Sequence, residues 1–302
     1  MNTYKNSMHV LLFTFLYALG LIPRRWSSAI ANAIGTIWYA VDKGHRDIAH
    51  ENMARVYGDK KSRVEIRSAT RRSFGQIAQI PFEMGWALRM NRQDFMRHCK
   101  ITGLPNLRRA FAKGKGVLIL TLHIGNWELL PMAYIDSGLN VSMVYRPLDF
   151  KPADEFILNY RSRHGAQPIP KKKSMRRILK ALAQRDCVGI LLDQTAGMKA
   201  GILLEFFDHP AWTNKGLALL ASKTQAPVIT SFLIRNGLNY EVHIGPEIPL
   251  VHTGRKEDDV RINTQRYNQA LEEIIRKYPE QWLWMHRRWK QRGKKRKIKN
   301  VS

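Results

Sequence analysis

The fold expected of this chain is decided by one segment, which reads Gly116-Val117-Leu118-Ile119-Leu120-Thr121-Leu122-His123-Ile124-Gly125-Asn126-Trp127-Glu128-Leu129-Leu130. Its first half is an apolar, β-branched run of strand length that follows a glycine-rich turn. The run ends at His123, and Gly125 then breaks the pattern. Asn126 is a favourable N-cap for a helix that begins at Trp127. The segment therefore predicts a buried strand, a short turn and a helix, and ligands bind at such carboxyl strand ends in open α/β sheets.

His123 and Glu128 form the strongest candidate pair for chemistry in this segment. On one continuous helix residues five apart diverge, but across a strand-to-helix turn they can converge. A carboxylate in the first turn of a helix stays ionised beside the positive end of the helix dipole. Glu128 could then accept one imidazole N–H of His123 and leave the other ring nitrogen free to take a proton. The alternative is that His123 merely ends a strand and Glu128 merely begins a helix.

The remainder of the chain alternates predicted strands with predicted helices, which indicates an α/β fold whose central sheet is covered by helices on both faces. Three more polar side chains are expected at strand ends near the candidate pair. Arg146 follows one predicted strand and is suited to an anionic or polarised group. Asp193 and Gln194 follow another. Asp193 is expected to position the site through hydrogen bonds to a neighbouring loop or to Arg146, although a strand-end aspartate is also a common turn former.

Two apolar stretches, residues 10–22 and 29–41, precede this unit. Each is shorter than the roughly 20 residues that a membrane-spanning helix needs, and no clear signal-peptide cleavage pattern follows. Flanking arginines favour helices that lie in the membrane interface. Burial against the main domain, or a single tilted span from near Met8, are the alternatives. The predicted division is N-terminal membrane-associating helices (1–42), an α/β domain (43–290) and a basic tail (291–302).

The C-terminal region mixes tryptophans with arginines between Trp282 and Lys290. This mixture suits the headgroup level of a membrane, and it could also stack nucleic-acid bases. The basic run Lys294–Lys297 that follows is expected to be attracted to anionic lipid.

Composition narrows the classes of partner. Lys and Arg number 50 against 24 Asp and Glu, a formal net charge of +26. This excess suits a polyanion: nucleic acid, an anionic membrane surface, an acidic carrier protein or a phosphorylated substrate. The two cysteines, Cys99 and Cys187, form no disulfide framework, which favours a reducing environment.

Several familiar catalytic and cofactor motifs are absent from the sequence. It contains no Gly-x-Ser-x-Gly elbow, no Walker A loop and no Gly-x-Gly-x-x-Gly after a strand. It also has no His-Glu-x-x-His and no paired-cysteine spacing, so neither a metal nor a bound cofactor is predicted.

The hexapeptide His123-Ile124-Gly125-Asn126-Trp127-Glu128 resembles the His-x-x-x-x-(Asp/Glu) signature of glycerolipid-type acyltransferases. Its Gly-Asn-Trp form is similar to the branch that contains the bacterial lipid A late acyltransferases, which transfer lauroyl and myristoyl chains. Later blocks of that branch are matched in order: Tyr145-Arg146-Pro147, Leu192-Asp193-Gln194, Phe206-Phe207 with Pro210-Ala211, Ala226-Pro227-Val228-Ile229 and Trp284-Met285-His286-Arg287-Arg288. The resemblance covers roughly residues 8–290. One departure is Asp208, where the family pattern usually has glycine, and it bears on the shape of that loop.

The resemblance implies a mixed central sheet and acyl transfer from an acyl carrier protein thioester to a hydroxyl of a membrane glycolipid. His123 would be the general base with Glu128, while Asn126, Arg146, Asp193 and Gln194 would bind substrate. Backbone N–H groups near Gly125 and Asn126, or the Arg146 guanidinium, are candidate oxyanion donors.

Both substrates implied by the resemblance, an acidic carrier and a phosphorylated lipid A precursor, match the positive charge. The implied location is the cytoplasmic face of the inner membrane. Another glycolipid or a lysophospholipid remains a possible acceptor. From a different class, a basic nucleic-acid-binding protein is supported only by charge and Arg/Trp content, because no nucleic-acid motif is present.

Overall fold

The computed structural model of the protein describes residues 2–137, 140–172 and 174–290, so the basic run Lys294–Lys297 lies outside the described residues. The helices are α1 (Asn2–Leu21), α2 (Arg24–Val41), α3 (Lys43–Tyr57), α4 (Arg63–Ala78), α5 (Ile80–Leu88), α6 (Arg92–Arg97), α7 (Leu104–Ala112), α8 (Lys151–Arg163), α9 (Met175–Ala183), α10 (Gly216–Thr224) and α11 (Lys256–Lys277). The strands are β1 (Cys99–Thr102), β2 (Val117–Thr121), β3 (Val141–Tyr145), β4 (Ala166–Pro170), β5 (Cys187–Leu191), β6 (Gly201–Phe206), β7 (His209–Asn214), β8 (Val228–Asn236) and β9 (Asn239–Glu247). Short 3-10 helices span Leu130–Ser137 and Pro279–Gln281.

The central sheet has seven strands in the order β1-β9-β8-β2-β5-β3-β4. The run from β8 through β2, β5 and β3 to β4 is parallel, whereas β9 is antiparallel to β8. The predicted mixed α/β sheet is confirmed. Because parallel strands end at the same edge, the carboxyl ends of β2, β5 and β3 lie side by side.

The sheet is buried on both faces, as the continuous apolar run of β2 predicts. Alternate side chains of a strand point to opposite faces. Leu118 and Leu120 belong to a core that includes residues of α2–α4 and α9–α11. Val117 and Ile119 belong to a second core that includes residues of α1 and α5–α8. Helices therefore cover both faces, as expected.

The predicted helix beginning at Trp127 is wrong. Residues 127–129 form a turn, and a 3-10 helix follows over Leu130–Ser137. Pro131 lacks the N–H that an α-helix would bond to the carbonyl of Trp127. Asn126 does cap locally, since its Oδ1 accepts the N–H of Glu128 at 3.2 Å.

From Gly201 onward the chain forms a two-stranded antiparallel hairpin, β6–β7. Its turn consists of Phe207 and Asp208, both with positive φ (52° and 61°). Asp tolerates this left-handed region better than most residues do. Asp208 thus supports a tight turn where the family pattern has glycine.

The N-terminal residues form two helices that pack on the rest of the protein, α1 along α5 and α2 along α4. At the first crossing Gly20 meets Gly85 so closely that a Cβ on either would overlap the backbone of the other helix. Within the described ranges no helix is both long and apolar enough to cross a membrane.

The C-terminal tryptophans are core residues, so their predicted place at the headgroup level is wrong. Trp282, Trp284 and Trp289 are all buried. Each indole N–H has an internal acceptor: Asp193 for Trp282, the carbonyl of Pro279 for Trp284 and the carbonyl of Phe206 for Trp289. Buried tryptophans need such acceptors.

The Gly20–Gly85 crossing predicts that Gly85→Ala destabilises the protein. The added methyl would overlap the carbonyl of Leu16 and push α1 off α5. Overpacking of this kind costs about 1–3 kcal/mol, measured as a lower free energy of unfolding in urea. Gly44→Ala is the matched control, because a Cβ there meets only the Asp42 side chain at 3.6 Å, and we expect it to be neutral or slightly stabilising. Equal stability of the two variants would contradict the tight crossing.

Candidate active site

The register of β2 and β5 brings His123 and Asp193 together. Thr121 and Leu191 are directly paired in the parallel ladder, and Leu192 extends it by donating its N–H to the carbonyl of Thr121 at 3.2 Å. His123 and Asp193 each follow two residues after that pair. Two neighbouring strand ends therefore present an imidazole and a carboxylate to each other.

His123 is held by Asp193 through both its backbone and its ring. Nδ1 of His123 lies 2.9 Å from Oδ1 of Asp193, and the N–H of His123 donates to Oδ2 at 3.0 Å. Trp282 donates its indole N–H to the same Oδ2 at 2.8 Å. An ionised carboxylate can only accept hydrogen bonds, so Nδ1 carries a proton, and in the neutral ring Nε2 presents a lone pair. The His123 side chain is 18% exposed, which leaves this ring within reach of a ligand.

The surroundings of Asp193 keep its carboxylate charged. Burial would raise the pKa of Asp193, but the charge of His123 and the hydrogen bonds from His123 and Trp282 outweigh it and lower the pKa to about 2. The carboxylate is therefore ionised throughout the physiological range. It can orient the imidazole and stabilise the positive charge that develops when Nε2 takes a proton.

The expected hydrogen bond between Glu128 and His123 is wrong. Both carboxylate oxygens of Glu128 accept from Arg161 of α8, at 2.8 and 2.7 Å, and Trp127 donates its indole N–H at 3.1 Å. The physical reason is the missing helix: the turn over residues 127–129 directs Glu128 towards α8. Burial would lower the pKa of Arg161, but the hydrogen bond and charge of Glu128 outweigh it and raise that pKa. Arg161 stays protonated, and the pair fixes the far end of the turn.

Asn126 lies between Gly125 and the turn over residues 127–129, and it is fully buried. Its Nδ2 donates to Glu83 at 2.9 Å, while its Oδ1 accepts the N–H of Glu128. Its side chain is therefore occupied inside the protein and is not open to a substrate, contrary to the expected contact. The N–H of Gly125, a candidate oxyanion donor, is also occupied, because it donates to the carbonyl of Gln281 at 3.0 Å.

Gln194 and Arg146 differ in their relation to His123. The amide nitrogen of Gln194 lies 3.5 Å from Nε2 of His123, beside the reactive nitrogen. Arg146 follows β3 at the same sheet edge, but its side chain is 80% exposed and its recorded partner is Asp149, at 3.8 Å. Asp193 does not bond Arg146, so of the two expected arrangements only the bond to a neighbouring loop is found. A substrate contact by Arg146 stays a prediction.

His286 adds a neutral ring to the site. Burial lowers its pKa to about 4, with Asp193 opposing the shift and His123 and Arg288 adding to it. His286 is therefore uncharged at neutral pH. No group of three His, Cys, Asp or Glu side chains in the described part of the chain could hold a metal ion.

Sequence reasoning missed three residues of the site. The pattern of tryptophans and arginines predicts a membrane surface for Trp282, whereas its indole N–H donates to the carboxylate of Asp193. Arg161 carried no signal beyond its place on a predicted helix. Glu83 stands in an apolar stretch, Ile80–Leu88, where a lone carboxylate is unusual enough to have been a signal.

Comparison with known proteins identifies a family that this chain resembles over nearly its whole length. A sequence profile of the family described as bacterial lipid A biosynthesis acyltransferase matches residues 3–291. The chain is 22% identical to a lipid A biosynthesis acyltransferase of Haemophilus influenzae over 278 residues, which cover 90% of this chain and 84% of that protein. It is 24% identical to the lipid A biosynthesis palmitoleoyltransferase of Escherichia coli, with 87% and 84% covered. It is also 23% identical to a phosphatidylinositol mannoside acyltransferase of Mycobacterium tuberculosis, with 86% and 83% covered.

The geometry assigns different consequences to the two carboxylates near His123. We expect Asp193→Asn, like His123→Ala, to lower kcat for acyl transfer by on the order of 10²-fold or more, because the base loses its orientation or is removed. Glu128→Gln leaves Arg161 buried without a carboxylate, so its main effect should be a lower melting temperature. Steady-state kinetics and thermal unfolding of the purified variants separate the two.

Asp186→Asn is the matched control for Asp193→Asn. Asp186 is also buried and precedes the opposite end of β5, where it accepts from Asn140 at 3.1 Å. Its replacement should leave kcat unchanged. An Asp193→Asn protein with normal kcat, alongside a stable but inactive Glu128→Gln protein, would restore the pairing of His123 with Glu128.

Proposed function

This chain belongs to the bacterial lipid A biosynthesis acyltransferase family, and from that premise we propose that it moves a fatty acyl chain from an acyl carrier protein thioester to a hydroxyl of a lipid A precursor. One observation carries the proposal. His123 donates Nδ1–H to a buried, ionised carboxylate and keeps Nε2 at an accessible strand end. A base of this kind suffices for a thioester, which is already activated.

In the proposed reaction, Nε2 of His123 removes the proton of the acceptor hydroxyl while the hydroxyl oxygen attacks the thioester carbonyl carbon. The resulting imidazolium is stabilised by the Asp193 carboxylate. Collapse of the tetrahedral intermediate breaks the carbon–sulfur bond and re-forms the carbonyl. His123 returns its proton to the departing thiolate. The products are an ester and the free thiol of the carrier, and no covalent enzyme intermediate is required.

The negative charge that develops on the carbonyl oxygen needs a donor. We assign this role to the side-chain amide of Gln194, because its nitrogen lies 3.5 Å from Nε2. A donor beside the base can reach the oxyanion of a substrate positioned between them. Arg146, exposed at the neighbouring strand end, is assigned to a phosphate of the acceptor or of the donor's prosthetic arm.

The net charge of +26 supports an acidic carrier protein and a phosphorylated acceptor as partners. A lipid A precursor is the favoured acceptor because relatives such as the palmitoleoyltransferase carry lipid A biosynthesis in their names. A different membrane glycolipid is the second candidate, since a relative named for phosphatidylinositol mannoside matches a similar share of the chain. We place the reaction on the cytoplasmic face of the inner membrane, where acyl carrier protein and reduced thiols such as Cys99 and Cys187 are expected.

Helix α2 supports attachment to a membrane surface. Its exposed apolar side chains are Trp26, Ile30, Ile34, Ile37 and Val41. At 100° per residue they fall in a stripe roughly 80° wide, opposite the buried residues Ala31, Gly35 and Tyr39. A continuous exposed apolar stripe of this kind suits insertion into the interface of a bilayer.

The acyl-transfer proposal predicts specificity that purified protein can reveal. The wild-type enzyme should acylate a lipid A precursor from acyl carrier protein thioesters, and His123→Ala should not. The measurement is product mass after incubation with a panel of donors that differ in chain length and a panel of acceptors that includes mannosylated phosphatidylinositol and lysophospholipids. Transfer only to one of the latter acceptors would replace lipid A as the substrate, and transfer by His123→Ala would reject the mechanism.

The α2 stripe predicts that the triple variant Ile30→Gln, Ile34→Gln, Ile37→Gln binds anionic vesicles on the order of 100-fold more weakly. Each isoleucine contributes about 1 kcal/mol when it is partly buried in the interface. The matched control is Val64→Gln, Leu238→Gln, Ile262→Gln, three exposed apolar residues outside α1 and α2. Cosedimentation with vesicles measures the difference, and transfer to a detergent-dispersed acceptor should be retained. Equal binding by both triple variants would show that the α2 stripe does not contact the membrane.

A further inference from the structure

A buried ion pair lies behind the turn that carries His123. Glu83 of α5 and Arg235 of β8 form a two-pronged contact, with Nε to Oε1 at 2.6 Å and the second guanidinium nitrogen to Oε2 at 2.7 Å. Both side chains are less than a tenth exposed. Neither has a recorded contact with His123 or Asp193, so neither belongs to the reacting groups.

One route connects this pair to the turn through side chains. Oε2 of Glu83 accepts from Nδ2 of Asn126 at 2.9 Å. The other end of the same amide, Oδ1, accepts the N–H of Glu128. Glu83 therefore fixes which way the Asn126 amide faces, and that amide shapes the backbone between His123 and Glu128.

The backbone of Arg235 supports the same turn by a separate route that does not use its guanidinium. Arg235 exchanges two hydrogen bonds with the side chain of Gln281, its N–H donating at 2.8 Å and its carbonyl accepting at 2.9 Å. The carbonyl of Gln281 accepts the N–H of Gly125 at 3.0 Å, and Leu283 donates its N–H to the carbonyl of His123 at 3.0 Å. The residues on both sides of Ile124 are thus held by the segment that Arg235 positions.

The turn itself needs such support because its backbone is irregular. Gly125 has a positive φ of 57°, and a Cβ at this position would overlap the carbonyl of Leu233 in β8. No ladder of strand or helix bonds fixes residues 125–127. Burying two charges is costly, and an apolar pair of similar volume often serves packing as well or better. What the ion pair adds is a fixed direction for its hydrogen bonds.

We infer that Glu83 and Arg235 are positioning residues, whose buried ion pair holds the turn that follows His123 in register through Asn126. For its kinetic readout this inference rests on the proposed acyl transfer. It assigns to α5 a part in catalysis, although α5 contributes no group that touches the reacting atoms.

The first experiment compares Glu83→Gln and Arg235→Lys with the wild-type protein. Both keep the side-chain volume approximately. Glu83→Gln removes the negative charge, and Arg235→Lys removes the planar guanidinium that makes the two-pronged contact. We expect kcat to fall by about 10- to 100-fold with KM changed less than threefold, since small misplacement of a catalytic group has effects of this size. Glu247→Gln, which breaks the more exposed Lys113–Glu247 pair at 2.7 Å, should leave both constants unchanged.

The route through Asn126 is tested with a double-mutant cycle. If Glu83 acts through Asn126, the loss of kcat in the Glu83→Gln, Asn126→Ala protein should be close to that of Asn126→Ala alone. Fully additive losses would show that the two residues act separately, and would overturn this part of the inference.

A paired apolar variant separates positioning from folding. Glu83→Leu with Arg235→Met leaves no unpaired charge, so the protein should fold with a melting temperature near that of the wild type. We still expect the loss of kcat, together with faster amide hydrogen exchange in the peptide that covers residues 123–129. Exchange needs no substrate, so it tests the inference even if the proposed reaction is wrong. Wild-type kcat and wild-type exchange in this variant would overturn the inference and leave the pair a packing element.

Discussion

The hydrogen bonds between His123 and the carboxylate of Asp193 are the interaction on which the rest of the site depends. They join two strand ends that are 70 residues apart along the sequence, roughly 230–250 Å of fully extended chain, and they exist because β2 and β5 are neighbours in parallel register. A buried carboxylate is costly unless each oxygen has a donor. The backbone and ring of His123 and the indole of Trp282 supply those donors. The same bonds that make Asp193 tolerable inside the protein also set the tautomer of His123.

The turn after β2 is tied to three other parts of the fold by two acid–base pairs and one hydrogen bond from an amide. His123 meets Asp193 after β5, Glu128 meets Arg161 of α8, and Asn126 meets the Glu83–Arg235 pair between α5 and β8. Because the contacts come from three different elements, together they restrict movement of the irregular backbone of the turn. A mostly buried imidazole that is held by several rigid elements is typical of sites in which precise geometry controls the reaction.

The sequence was informative where the signal was local. Apolar runs predicted that strands alternate with helices along the chain, and the polar residues after β2 and β5 indicated the edge at which the site lies. The partner of His123 was not predictable from spacing, because Glu128 is five residues away whereas Asp193 is brought close only by strand pairing. Short elements such as β1 and α7 left no clear period. The hairpin β6–β7 was hidden because its glycine and its Phe-Asp turn also fit an open loop. The burial of Trp282 and Trp289 was hidden because their acceptors, Asp193 and the carbonyl of Phe206, come from distant segments.

The meeting of Gly20 and Gly85 bears on how this protein can be handled and redesigned. Helix α1 packs directly on α5, and Glu83 of α5 accepts a hydrogen bond from Asn126 in the turn after β2. The N-terminal helices are therefore an integral part of the packed structure. Trimming them would remove Leu16 and expose the apolar α5 side chains that share its core, such as Ile80 and Met84, and such an exposed apolar surface favours aggregation. The exposed apolar side chains of α2 are the better place for substitutions, with the contact between Gly20 and Gly85 left intact.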